Sequence, residues 1–114
     1  MKVFFSDVAC CDIKNLYDYC QERFGAKTAD LVEKQIGETA KMLENHPRLG
    51  KKEAILNESG IEYRSIAVGQ NKLVYSIHED YVFIHFVWNV LQNPDKLQFL
   101  LSRQWHDTDL IIEK

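Results

Sequence analysis

The sequence predicts an α+β fold of two layers. Its parts are an N-terminal strand, a two-helix antiparallel hairpin packed on an antiparallel sheet with a three-stranded meander, and a short C-terminal helix. Three observations predict it. Apolar residues recur at helical spacing from Ala9 to Leu43, aromatic and branched residues fill three runs between Glu62 and Trp88, and a proline opens a last helical stretch at Pro94. With 114 residues and 46% of them hydrophobic, the chain suffices for one modest core, so 1–114 reads as a single domain.

Lys2 to Phe5 is apolar and aromatic and ends at Ser6, a good helix cap, so it reads as a strand leading straight into a helix. Ala9, Ile13, Leu16, Tyr17, Cys20 and Phe24 fall on one face of that helix, and Gly25 supplies its stop. Thr28 is the expected cap of a second helix. Ala29, Val32, Ile36, Thr39, Ala40 and Leu43 make its stripe, and Asn45-His46-Pro47 closes it. Gly37 costs about 1 kcal/mol relative to alanine inside a helix, and close approach of another backbone and tolerance on a solvent-facing side account for it equally well.

From Arg48 to Gly60 the periodicity disappears, and a loop is expected. Glu62–Val68, Lys72–His78 and Tyr81–Trp88 then read as strands, separated by Gly69-Gln70-Asn71 and Glu79-Asp80 at hairpin lengths. In the middle strand Leu73, Tyr75 and Ile77 share the face that the helices should cover. Lys72, Val74, Ser76 and His78 share the other, expected to be partly open to a partner or substrate. Pro94 to about Gln104 reads as a third helix, and 105–114 as a tail apolar enough to dock.

Composition excludes several classes. A net charge of −3 lacks the basic excess of a polyanion-binding protein, so any nucleic-acid contact must come from a local patch. No window approaches the run of about 18 apolar residues that a membrane helix needs, and Ser6-Asp7 interrupts any signal-peptide core, so a cytoplasmic protein without membrane contact is expected. Cys10, Cys11 and Cys20 are an odd set without a second pair, which predicts reduced, structural, buried thiols. No tetrahedral set of Cys and His is spaced for a metal, and neither metal nor cofactor is expected.

The run Tyr63-Arg64-Ser65-Ile66-Ala67-Val68-Gly69-Gln70-Asn71-Lys72-Leu73-Val74-Tyr75 resembles the Tyr-Arg, Gly and Arg/Lys-Leu-Val-Tyr pattern of the RelE/ParE family of type II toxin-antitoxin toxins, or plasmid stabilisation proteins. Asp12-Ile13 to Gly25-Ala26, Asn45-His46-Pro47 with Gly50, and Val82 to Val87 followed by Gln92-Asn93-Pro94 resemble further family segments. One departure stands out: Asn89-Val90-Leu91 occupies the place of the His-Gly-Arg of many members, so a basic group is replaced by leucine.

The resemblance implies a growth-inhibiting toxin neutralised by a cognate antitoxin, alone as a homodimer or with the antitoxin as a hetero-oligomer. Two mechanisms follow from it. RelE-like members cleave message on the ribosome as mRNA interferases, whereas ParE-like members inhibit DNA gyrase by protein contact, so enzymatic activity stays open. An inactive toxin-fold protein that serves as a protein-binding module is the alternative. For message cleavage the resemblance makes Arg64 and Lys72 the catalytic candidates, as phosphate contacts. Arg64 has two other readings, an acidic partner within the fold or a residue of the antitoxin.

Lys51 and Lys52 offer a basic rim, with solvation as the default for a charged loop. Tyr63 and Trp88 are candidates for base stacking, while Tyr75 belongs to the core face. His78 and His85 titrate near neutrality in water, and a hydrogen-bonded strand histidine is the plainer reading of both. Gln92 completes the candidate binding set, at the exit of the last strand.

Overall fold

The computed structural model describes residues 1–53 and 60–89. The expected third helix, the docking tail, Leu91 and Gln92 lie outside the described residues.

Strand β1 (Lys2–Phe5) runs into helix α1 (Asp7–Phe24) through Ser6. The Ser6 hydroxyl accepts the Ala9 N–H at 2.9 Å and donates to the carbonyl of His85 at 2.5 Å. One side chain therefore caps the helix and ties it to the sheet. Ala9, Leu16 and Cys20 are buried along α1, with Ile13 and Tyr17 packed beside them. Phe24, the last residue of the helix, departs from the expected stripe and is 63% exposed. Cys10 and Cys11 are also exposed, correcting the expectation of three buried thiols. They follow Ala9 on the helix and at 100° per residue turn away from the buried stripe.

Helix α2 (Ala26–Asn45) begins three residues earlier than a Thr28 cap requires. Gly25 at φ 96° makes the reversal between the helices without a side-chain cap, so Thr28 lies inside the first turn. Ala29, Ile36, Ala40 and Leu43 are buried as the stripe predicts. The Tyr17 hydroxyl donates to Asp30 at 2.6 Å across the hairpin. Gly37 is exposed with open space where a Cβ would stand, so among the described residues no backbone approaches it, and the solvent-facing reading is the one that fits.

The sheet is built from β1, β2 (Lys51–Lys52), β3 (Glu62–Val68), β4 (Asn71–Ile77) and β5 (Tyr81–Asn89), in the order β1-β5-β4-β3-β2. The meander β3-β4-β5 is antiparallel as expected, with the two-residue turn Gly69-Gln70. Two features correct the sequence reading. β1 pairs in parallel with β5, because the helical hairpin and the meander return the chain to the same end of the sheet, so the sheet is mixed. And part of the expected loop forms β2, an edge strand opposite Ser65 and Arg64, too short for any periodicity to show.

A bulge in β5 sets which side chains face the helices. Tyr75 pairs with Ile84 and Val74 with Phe86, leaving His85 as the extra residue. Val82 and Ile84 before the bulge, and Val87 after it, therefore all join the core with Leu73, Tyr75 and Ile77. The Val87 N–H is met by the Asp12 carboxylate of α1 at 3.0 Å.

Candidate functional site

The candidate residues divide between the two faces of the sheet. Register puts Arg64 opposite Tyr75, on the helix side, and Lys72 opposite Ala67 and Trp88, on the other side. The expected pair of phosphate contacts is thus not brought together, because residues an even number apart on one strand share a face and these two pair with residues of opposite parity.

Arg64 belongs to a corner that fastens the segment before β2. Its Nε donates to Glu62 Oε2 at 2.6 Å, and its terminal nitrogen donates to the carbonyls of Gly50 at 2.7 Å and Arg48 at 3.4 Å. Arg48 completes the cluster by reaching Glu62 Oε1 at 3.3 Å. The Arg64 guanidinium holds the Glu62 carboxyl below the usual carboxylate range, against the opposing effect of burial, and Arg48 adds to the lowering. Of the readings for Arg64, an acidic partner within the fold is the one this geometry realises. The signal was present in the sequence, since opposite charges two residues apart on a strand share a face.

Directly beside it, the Tyr75 hydroxyl accepts the Gly50 N–H at 2.9 Å and donates to the Pro47 carbonyl at 2.8 Å. Burial pushes this phenol above its ordinary value.

The second face carries a polar chain inside an aromatic frame. Ser76 Oγ lies 2.7 Å from His85 Nε2 and 2.8 Å from His78 Nε2. His85 packs against Tyr63 and Phe83 with ring centroids at 5.4 and 4.8 Å, and His78 stacks on Tyr81 at 4.4 Å. This face is not the partly open surface expected from alternation. Val74, Ser76, Phe86, His85, Tyr63 and Trp88 are all buried on it, while Lys72, His78 and Tyr81 are half-buried and Ala67 is exposed at its end. Aromatic side chains from neighbouring strands pack on one another across this face, Tyr63 and Phe83 both against His85, which strand alternation alone does not reveal.

Burial pushes His85 down to about 3, with the neighbouring His78 lowering it further, so His85 is neutral at physiological pH and unsuited to act as a base there. Tyr63, at 5% exposure, cannot stack on an incoming base without rearrangement. Ser76 was not singled out in the sequence. The alternation of β4, which puts it on the His78 face, was the available clue.

Lys51, on the exposed edge strand β2, and Lys72 line a shallow groove of about 360 Å³ with Leu49, Ser65 and Ala67. Lys72 Nζ also stands 5.7 Å from the centre of the Trp88 ring, a cation–π distance. Lys52 is exposed, and pairs in register with Arg64. Among the described residues no three His, Cys, Asp or Glu side chains gather as a metal site, and no helix is long and apolar enough to cross a membrane.

Comparison with known proteins agrees with this architecture. A family model described as the ParE toxin of type II toxin-antitoxin system, parDE, matches residues 3–94. Among solved structures the chain is similar to a protein of the chromosomal ParDE TA system from P. aeruginosa, with a TM-score of 0.64 and 16% identity. That match covers 78% of this chain and 95% of the other, and at this identity it shows the shared fold. No curated protein matches the chain. With the family model spanning from β1 through β5 and on to Pro94, the chain belongs to the ParE toxin family of type II toxin-antitoxin systems.

Proposed function

We propose that this chain is a cytoplasmic, growth-inhibiting toxin that an antitoxin protein neutralises, and that it acts by binding DNA gyrase and not by cutting message. The observation that carries the choice of target is the separation of Arg64 from Lys72. Message cleavage needs a base for the 2′-hydroxyl, cations for the phosphorane and an acid for the leaving oxygen, all converging on one phosphate. Here Arg64 is turned to the helix side and engaged by Glu62 and the Gly50 carbonyl, while Lys72 lies on the other face. His85 is buried and neutral. Inhibition by protein contact makes no such demand, and the family match to ParE toxins supports it.

Ribosome-dependent cleavage is the second reading, favoured by the Lys51–Lys72 groove beside Trp88. Induced expression in a sensitive bacterial host separates the two. Gyrase inhibition predicts loss of plasmid supercoiling and a DNA-damage response with messages intact, and purified gyrase should lose supercoiling activity when the chain is added. Ribosome-dependent message cleavage that Lys72→Ala weakens would overturn the gyrase reading. Growth unaffected by expression, with binding to an adjacently encoded protein retained, would identify the inactive protein-binding module instead.

A further inference from the structure

We infer that the β1 edge and the neighbouring side of α2 form a self-complementary surface through which two copies of this chain pair. β1 ends the sheet, so its outer backbone edge has no partner strand among the described residues. Such edges invite strand addition unless they are blunted. Only Lys2 is charged in β1, and Phe4 and Met1 are 43% and 44% exposed.

Between β1 and α2 runs a groove of about 500 Å³, with Val3 and Phe5 on one side and Gly37 and Ala40 on the other. Lys34, Glu38, Lys41 and Glu44 also line it, all of them exposed, and among the described residues none of the four is ion-paired. Their signs alternate along the helix. An acidic or basic partner segment would favour a stripe of one sign, whereas plus-minus-plus-minus read against its own reverse matches at every position.

Antiparallel pairing of β1 with a second β1 about a two-fold axis perpendicular to the sheet leaves both helical layers on the same side and sets the two copies of α2 antiparallel. Lys34 then faces the partner copy's Glu44, and Glu38 the partner copy's Lys41. The midpoints of the two pairings, at Thr39 and between Thr39 and Ala40, differ by half a residue, about 0.75 Å at helical rise, so a single axis serves both. The dimensions agree: the charged stripe spans about 15 Å at helical rise, and β1 about 13 Å at strand rise. Gly37, near that midpoint, has open space in place of a side chain and admits the close approach of the second helix. The result is one sheet continuous across two copies, with the Phe4 rings adjacent on its other face. This inference is independent of the cellular target.

Sedimentation of the purified 114-residue chain over a concentration series, with circular dichroism to confirm folding, tests it. The wild type should dimerise reversibly. Glu38→Lys or Lys41→Glu alone should weaken the dimer at least tenfold at low salt. The double variant, which exchanges the two charges, should restore it. A chain that stays monomeric at millimolar concentration, or a dimer indifferent to the single reversals or not rescued by the double one, would overturn the assignment. So would a dimer that forms normally while the β1 edge and the α2 groove remain unprotected in hydrogen exchange, or a groove occupied instead by a different protein's segment in a one-to-one complex.

Discussion

The phenol of Tyr75 and the backbone N–H of Gly50 meet at 2.9 Å, and the same hydroxyl donates to the carbonyl of Pro47 at 2.8 Å. A fully buried side chain of the central strand thereby fixes the path of the chain between α2 and β2. Tyr75→Phe keeps the ring and removes both bonds. It should lower stability by about 1–3 kcal/mol, since two backbone groups lose their partner. Urea denaturation should show a lower midpoint with an unchanged slope.

Gly50 has a second reason to be glycine, and it is steric. A Cβ there would stand 2.4 Å from the Ser65 carbonyl oxygen and 2.9 Å from the Tyr75 hydroxyl. Gly50→Ala should therefore cost about 1–3 kcal/mol by overpacking against backbone that cannot rotate away. Gly37→Ala, with nothing near the new methyl within a single copy, should instead stabilise the monomer by about 1 kcal/mol through helix propensity. The two melting temperatures should move in opposite directions.

Asp12 is the link between α1 and the bulged part of β5. Its carboxylate accepts the Val87 N–H at 3.0 Å, so Asp12→Ala should cost about 1.5–3 kcal/mol, the range for a hydrogen bond to a charged group. Asp12→Asn keeps an acceptor and should recover part of that loss. Hydrogen exchange at Val87 should quicken in Asp12→Ala and less so in Asp12→Asn.

Acid should destabilise the fold in two separable stages. His85 is lowered from 6.5 to about 3 by burial and then by His78, so the unfolded chain takes up a proton at this site that the folded one refuses. Its stabilising effect is complete above pH 6.5 and declines as pH falls from there toward 3, by about 1.4 kcal/mol per pH unit in mid-range. Glu62, lowered chiefly by Arg64, also favours the fold only while ionised, but its effect fades below its ordinary value of 4.5. Stability of His85→Phe should thus be flat between pH 6.5 and 5, where wild type falls. An equal slope in both proteins over that range would contradict the burial of a neutral His85.

Much of the architecture was legible in the residues themselves. Ser6 as a cap, the stripes through Leu16 and Ile36, and the alternation of Leu73, Tyr75 and Ile77 each express a local period, and local periods survive into the fold. The Tyr63-Arg64 to Lys72-Leu73-Val74-Tyr75 run likewise pointed to the family, whose model matches residues 3–94.

Residue periodicity was enough to locate α1, α2, β1 and the meander, and a motif was enough for the family, whereas the two residues of β2 carry no period to read. Where the chemistry stands follows from contacts between distant segments. The parallel pairing of β1 with β5 and the extra residue at His85 are long-range choices with no local period, and they put Val87 against Asp12. The engagement of Arg64 by Glu62 and Gly50, and the burial of Ser76 between two histidines, needed strands far apart in sequence to meet in register. Arg64 and Lys72 are close along the chain and share a motif, yet register turns them to opposite faces of the sheet, because successive side chains of a strand alternate and eight residues separated by a two-residue turn do not preserve parity across the hairpin.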